Sequence, residues 1–259
     1  MRRAGIHERR ALGGSSLLPL GAPGAPASVT TPLTVYGADL YQWHNGANVT
    51  LNASAVSALP DLSGKANDSL QGTAIQQPAY TATDATLDNQ PTVAGDGSND
   101  VLTCAGLTVD LATEDFYVCG IIKQITWTSG DVVSGGSGST IPSLAQSGVS
   151  PQMKETATSA VNTNGAGTLG SWFRVEALWS VTPGASYLKV GATTVQTGNP
   201  GTGTRTASSL FAATASAFVN DAMAEFFVVK RASGSGGPTG PERATMNAAL
   251  LAKYPSASF

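Results

Sequence analysis

Apolar and polar residues follow three successive patterns along the chain. Residues 1–32 carry no sustained period. ERRALG predicts at most a short helix before Gly13-Gly14 ends it, and Pro and Gly interrupt the remainder of the segment. From Leu33 a two-residue alternation takes over. LTVYGADLYQW (33–43) mixes β-branched and aromatic residues and predicts an opening strand. Residues 44–58 read as loop with a short strand or helical turn. PTVAG (91–95) and DVLTC (100–104) predict strands around a tight Gly-Asp-Gly-Ser-Asn turn. FYVCGIIKQITWT (116–128) is nearly continuously apolar, as a strand buried on both faces must be. WFRVEALWSV (172–181) alternates, with Phe173, Val175, Ala177 and Trp179 on one face and Arg174 and Glu176 on the other. SYLKVGATTVQTG predicts a hairpin turning at Gly191, and MAEFFVVKR, within residues 217–231, another central strand.

The period becomes helical only in GPERATMNAALLAKYP. There Pro241 suits the first turn, Met246, Leu250 and Leu251 fall about one turn apart, and Pro255 is the stop. The whole pattern predicts roughly ten to twelve strands and one C-terminal helix. That is an all-β, two-sheet antiparallel sandwich over residues 33–259, preceded by an extended attachment arm over residues 1–32.

Composition supports this reading. Only 12% of residues are charged and 30 are glycine, which suits short strands and tight turns, while 41% are hydrophobic, enough to fill a core. The net charge of −3 provides no field for nucleic acid. The first ten residues differ: Arg2, Arg3, Arg9 and Arg10 against Glu8 give +3, which leaves −6 on the rest. Gly13, Gly14, Pro19, Pro23 and Gly24 break the apolar stretch of the arm, a poor pattern for a signal peptide, so it is expected to be retained. No run reaches the ~20 apolar residues of a membrane helix. Such an arm cannot order itself, so a partner surface is expected to hold it. Its four arginines suit carboxylates on a protein better than phosphates, which four arginines bind weakly at physiological salt.

The chemical candidates are few. Cys104 and Cys119 either pair, if their strands are neighbours, or remain two buried thiols. Two histidines, His7 and His44, cannot build a metal cluster. Asp96, Ser98 and Asp100 have an oxygen spacing that could hold Ca²⁺, and the same residues suit a tight hairpin; no other cofactor is expected. In PDLSGKANDSLQ (60–71), Asp61 and Ser63 either cap a turn around Gly64 or touch a glycan at the rim of the sandwich. Trp172 falls on the face opposite Trp179 and is the tryptophan expected to be exposed, where a sugar could stack on it. There is no G-x-S-x-G and no phosphate loop.

Five segments, in order, carry a family resemblance: DLSGKANDSLQ (61–71), QPAY (77–80), QPTVAGDGSNDVLT (90–103), FYVCGIIK (116–123), and AEFFVVKR followed by PERATMNAALLAKYP. Together they resemble the concanavalin A-like lectin/glucanase jelly roll in its LamG-like form, found in bacteriophage virion and bacterial surface proteins. The resemblance spans residues 36–255 and departs at Ala94, where the family has an aromatic residue. It implies a structural protein of a bacteriophage particle, as capsid decoration or head or tail fibre. On that reading the arm binds a capsid or tail protein of the same particle, the chain is a homo-oligomer, and a lectin-like domain faces outward. The location would be the virion, assembled in the host cytoplasm. The alternative is a carbohydrate-binding module of a cell-surface or secreted protein. Glucanases of this family use a strand motif E-x-D-x-x-E, which is absent here. Glu176 and Glu225 stand alone, and Glu114-Asp115 would point to opposite faces. The sequence expectation is therefore a chain that is not an enzyme.

Overall fold

The computed structural model describes residues 29–129, 132–135, 143–147, 152–157, 160–162, 168–182, 184–199, 203–205, 207–212 and 217–259. Arg2, Arg3, Arg9 and Arg10 of the basic arm lie outside them. Among the described residues seventeen strands build a two-sheet antiparallel jelly-roll sandwich, and Val109–Asp110 pairs with Thr204–Arg205 in a separate two-stranded ladder.

The first sheet is centred on Glu114–Gln124, the long apolar run. It pairs along its length with Trp172–Trp179 on one side and Asp221–Ala232 on the other. Ser186–Val190 extends the sheet beyond Trp172–Trp179. On the far side, Leu40–Asn45 and Gln90–Ala94 share the edge of Asp221–Ala232. Gly46 makes that shared edge feasible, because a Cβ there would collide with the backbone of Pro91. The second sheet runs from Thr50–Asn52 and Ala55–Leu59 through Ser69–Leu70, Leu102–Cys104, Ser208–Leu210 and Val132–Gly135 to Ser143–Gln146 and Met153–Thr156.

Between the sheets pack Phe116, Val118, Phe173, Val175, Ala177, Trp179, Phe226 and Val228 from the first, and Leu102, Cys104, Leu144, Met153 and Leu210 from the second. The other face of the first sheet is buried as well. Tyr117, Cys119, Ile121, Leu178, Phe227 and Val229 pack there against Tyr36, Met246, Leu250 and Tyr254. This second layer explains why the central strand has no polar alternation.

Two helices cover that face. The predicted C-terminal helix, α2 (Gly240–Lys253), opens with a capping box between Thr239 and Glu242. Arg231 ties it to the sheet through Glu242 Oε1 at 2.6 Å, Asp39 Oδ2 at 2.9 Å and the Gly237 carbonyl at 2.9 Å. The Arg231 hydrogen bond, reinforced by the cap, holds Glu242 down at a pKa of about 2. The other helix, α1 (Pro32–Tyr36), corrects an expectation. LTVY is not strand: a Thr31/Thr34 capping box and Pro32 in the first turn start a helix, and the strand begins only at Leu40. The cysteines are two buried thiols that are not joined to each other. Cys104 lies between the sheets and Cys119 in the layer beneath the helices, so the sheet separates them. Burial pushes the Cys119 thiol up to about 12.

Candidate functional site

One ionisable cluster of the helix-covered layer lines a cavity. Its position follows from a break in strand period. On Asp221–Ala232, Met223 faces the inter-sheet core, and strict alternation would send Glu225 the same way. The register against Glu114–Gln124 shifts between Met223 and Glu225, and this bulge turns Glu225 to the helix side. Asn45 is its direct cross-strand partner, and Trp43, two residues earlier, shares that face. Trp43 Nε1 donates to Glu225 Oε1 at 2.9 Å. From the end of α2, Lys253 Nζ and Tyr254 OH donate to Oε2 at 2.8 and 2.7 Å. Glu225 is only 2% exposed, so Lys253 supplies the balancing charge a buried carboxylate needs. Burial first, and then the Glu225 charge, raise the Tyr254 phenol and keep it a donor.

The cavity beside this cluster has a volume of about 200 Å³. Trp43, Asn45, Glu225 and Lys253 bound it together with Ala249, Leu250 and the segment Val29–Pro32. Asn45 Oδ1 accepts from Ala47 N and Asn48 Nδ2, which leaves the Asn45 amide N–H groups unpartnered among the described residues. A half-buried indole beside a carboxylate, an ammonium and an amide suits a polyhydroxylated ring. The indole can cover an apolar C–H face while the polar groups meet hydroxyls.

Asp61 supports this site from behind. Its Oδ1 accepts from Trp43 N and Ser63 N, each at 2.9 Å, and its Oδ2 from Ser63 Oγ at 2.7 Å and Asn67 N at 2.9 Å. Burial alone would raise its pKa, but these four hydrogen bonds outweigh burial and hold the carboxyl below its usual range. Asp61 and Ser63 thus close a turn and fix the Trp43 strand. His44, beneath the same turn, bonds to the Pro60 carbonyl through Nδ1 and to Ser69 Oγ through Nε2, and burial lowers its pKa.

The expectation of an exposed Trp172 ring is corrected. Trp172 is 3% exposed; its Nε1 donates to Thr86 Oγ1 at 3.0 Å, and Lys123 Nζ stands 4.7 Å from the ring centre. It borders a cleft of about 510 Å³ with Ser171, Thr193 and Ser258, but shows the cleft little of its ring. In the other predicted cluster, Asp96 Oδ1 accepts from Ser98 N at 2.7 Å and Asn99 N at 3.0 Å, and Asp100 Oδ2 accepts from Asp96 N at 3.0 Å. These are turn-closing bonds, and no group of three His, Cys, Asp or Glu suited to a metal gathers among the described residues.

Asp100 is the strained member of that turn. Burial, and then the Asp96 charge, push it up to about 6. Its unfolded value is about 3.9, so protonation favours the fold fully below pH 4, and that contribution is lost as pH rises through about 6. Asp100→Asn is therefore expected to gain roughly 1 kcal/mol at pH 8, allowing for solvent screening, and nothing at pH 4. Urea titrations at the two pH values check this.

The fold is a sandwich with one face covered by helices and a mostly apolar cavity under the helix end. No family model matches the chain, and no curated protein matches it. Among solved structures, domain 4 of AbnA, a GH43 extracellular arabinanase from Geobacillus stearothermophilus in complex with arabinotriose, is 11% identical with a TM-score of 0.51, covering 82% of this chain and 98% of that domain. A GH54 α-L-arabinofuranosidase soaked with a cyclic sulfate inhibitor is 13% identical with a TM-score of 0.58, covering 85% of this chain. An arabinofuranosidase complexed with arabinofuranosyl-α-1,2-xylobiose is 14% identical with a TM-score of 0.57, covering 84% of this chain. This chain spans 60% of the length of each of those two. These likenesses establish the fold, an antiparallel β-sandwich. They also correct the expectation that the chain is not an enzyme: arabinanase and arabinofuranosidase chains carry this sandwich, so the fold is one that catalytic proteins use.

Proposed function

We propose that this chain is a carbohydrate-recognising domain whose site is the Trp43 cavity. The observation that carries the reading is the indole of Trp43 bonded to the buried Glu225, with Lys253 and the open amide of Asn45 around a cavity the size of one small ring. The structures sharing the fold come from proteins that act on or bind arabinose-containing glycans, which makes neutral plant-type saccharides the first probes. Trp43→Ala is expected to weaken saccharide binding at least tenfold, since truncating an aromatic at the centre of a binding site costs about 2 kcal/mol or more. Titration calorimetry on the variant, with near-ultraviolet circular dichroism to verify the fold, tests this. Unchanged affinity in a folded variant would refute the reading.

A second reading, from the sequence, places the chain on a bacteriophage particle, attached to a capsid or tail protein through Arg2, Arg3, Arg9 and Arg10. The basic, Pro/Gly-broken composition of residues 1–32 supports it, together with the LamG-like segments. Deleting residues 1–28 is expected to abolish particle attachment and leave a folded sandwich. Retained attachment would contradict it.

A further inference from the structure

We infer, building on the carbohydrate reading above, that the Trp43 cavity accepts one neutral sugar ring at the end of a glycan and rejects uronic acids. Size and enclosure argue for a single terminal ring. The cavity, at about 200 Å³, falls below the roughly 300–1,000 Å³ of sites for larger ligands. Asn45 and Glu225 form its floor on the sheet, α2 one side through Ala249 and Leu250, and Val29–Pro32 another. These walls favour a chain end over a chain running straight through. An adjoining groove of about 670 Å³ shares Val29, Thr30, Ala249 and Lys253 with the cavity and continues along Thr245, Ala248 and Ala252. That groove gives the next residues of the chain a way out to solvent.

Charge argues for neutrality. Among the described residues, two ionisable side chains line the cavity, Glu225 and Lys253. Lys253 Nζ is already committed to Glu225 Oε2 at 2.8 Å. A ligand carboxylate would lie against the buried Glu225 carboxylate, and Lys253, the one cation lining the cavity among the described residues, would have to be shared between two like charges that repel one another. A neutral ring meets no such barrier. Its hydroxyls can donate to Glu225 and accept from the unpartnered amide of Asn45.

The test is titration calorimetry of the full chain with three sets of probes. These are the methyl glycosides of L-arabinose, D-xylose, D-galactose and D-glucose; the trisaccharides of the same sugars; and D-glucuronic and D-galacturonic acids. The expected result is a neutral glycoside whose trisaccharide binds within about threefold of it, and uronic acids at least tenfold weaker. A trisaccharide bound tenfold or more tighter than its glycoside would overturn the single-ring inference while leaving the carbohydrate reading in place. Uronic acids bound as tightly as neutral sugars would overturn the charge argument alone. No binding by any probe would overturn both readings.

Glu225→Gln keeps the side-chain shape and frees Lys253. It is expected to raise uronic acid affinity at least tenfold and to lower neutral-glycoside affinity about threefold; unchanged selectivity would contradict the charge argument. Should that variant fail to fold, Asn45→Asp serves instead. It retains the Oδ1 acceptor for Ala47 N, removes the amide donors and adds negative charge. It is expected to weaken neutral and acidic sugars alike at least fivefold, and unchanged affinity for both would contradict the inference.

Discussion

A Glu176→Ala variant is expected to lose about 3–5 kcal/mol of stability, the cost of breaking a buried ion pair from one side. Glu176 lies under the helices, 5% exposed. Its Oε1 accepts from Arg174 Nη2 at 2.7 Å and its Oε2 from Tyr117 OH at 2.8 Å. Arg174 is 2% exposed, and its Nε and Nη1 already lack partners. Removing Glu176 strands a guanidinium in an apolar layer and leaves the Tyr117 hydroxyl unpaired. The double variant Arg174→Met/Glu176→Leu is expected to cost far less than the single one, because apolar replacement of a whole buried pair is often close to neutral. Urea denaturation of the two proteins separates the penalty of an orphaned charge from the net worth of the pair.

Asp61→Ala is expected to cost about 3 kcal/mol. It leaves the backbone N–H groups of Trp43, Ser63 and Asn67, and the Ser63 hydroxyl, without their charged acceptor. Asp61→Asn keeps one acceptor oxygen and is expected to lose roughly half as much. The carboxyl of Asp61 is held below its usual range in the fold. Its contribution is therefore complete above the unfolded value of about 3.9 and is lost as pH falls through the lower folded value. The stability gap between wild type and Asp61→Asn should be constant from pH 8 to pH 5 and close below pH 4. Because Asp61 also anchors the backbone of Trp43, both variants are expected to weaken binding in the Trp43 cavity.

Local periodicity made much of this fold legible. The strands at 114–124, 172–179 and 221–232 and the helix at 240–253 arise from spacings of two and of about one helical turn, which depend on near neighbours in the chain. Alternation assigned Phe173, Val175, Ala177 and Trp179 to one face correctly. It could not reveal what covers the other face. Arg174 and Glu176 lie on that face and are buried; Trp172 suggested an exposed ring and is buried too, against Thr86 and Lys123. At 32–36 a Thr-Pro helix start outweighed β-branched composition. The Trp43 cavity left little local trace. Its indole and carboxylate are 182 residues apart in sequence, and Glu225 faces the cavity only because a bulge interrupts its strand. A bulge is set by tertiary register rather than by the residues beside it.

The most direct test is a heteronuclear NMR titration with neutral saccharides that tracks the four indole N–H resonances. The predicted result is a saturable shift of the Trp43 resonance, with those of Trp127, Trp172 and Trp179 essentially unmoved. A shift of the Trp172 resonance with Trp43 unmoved, or no shift in any of the four, would contradict the assignment of this cavity as the binding site.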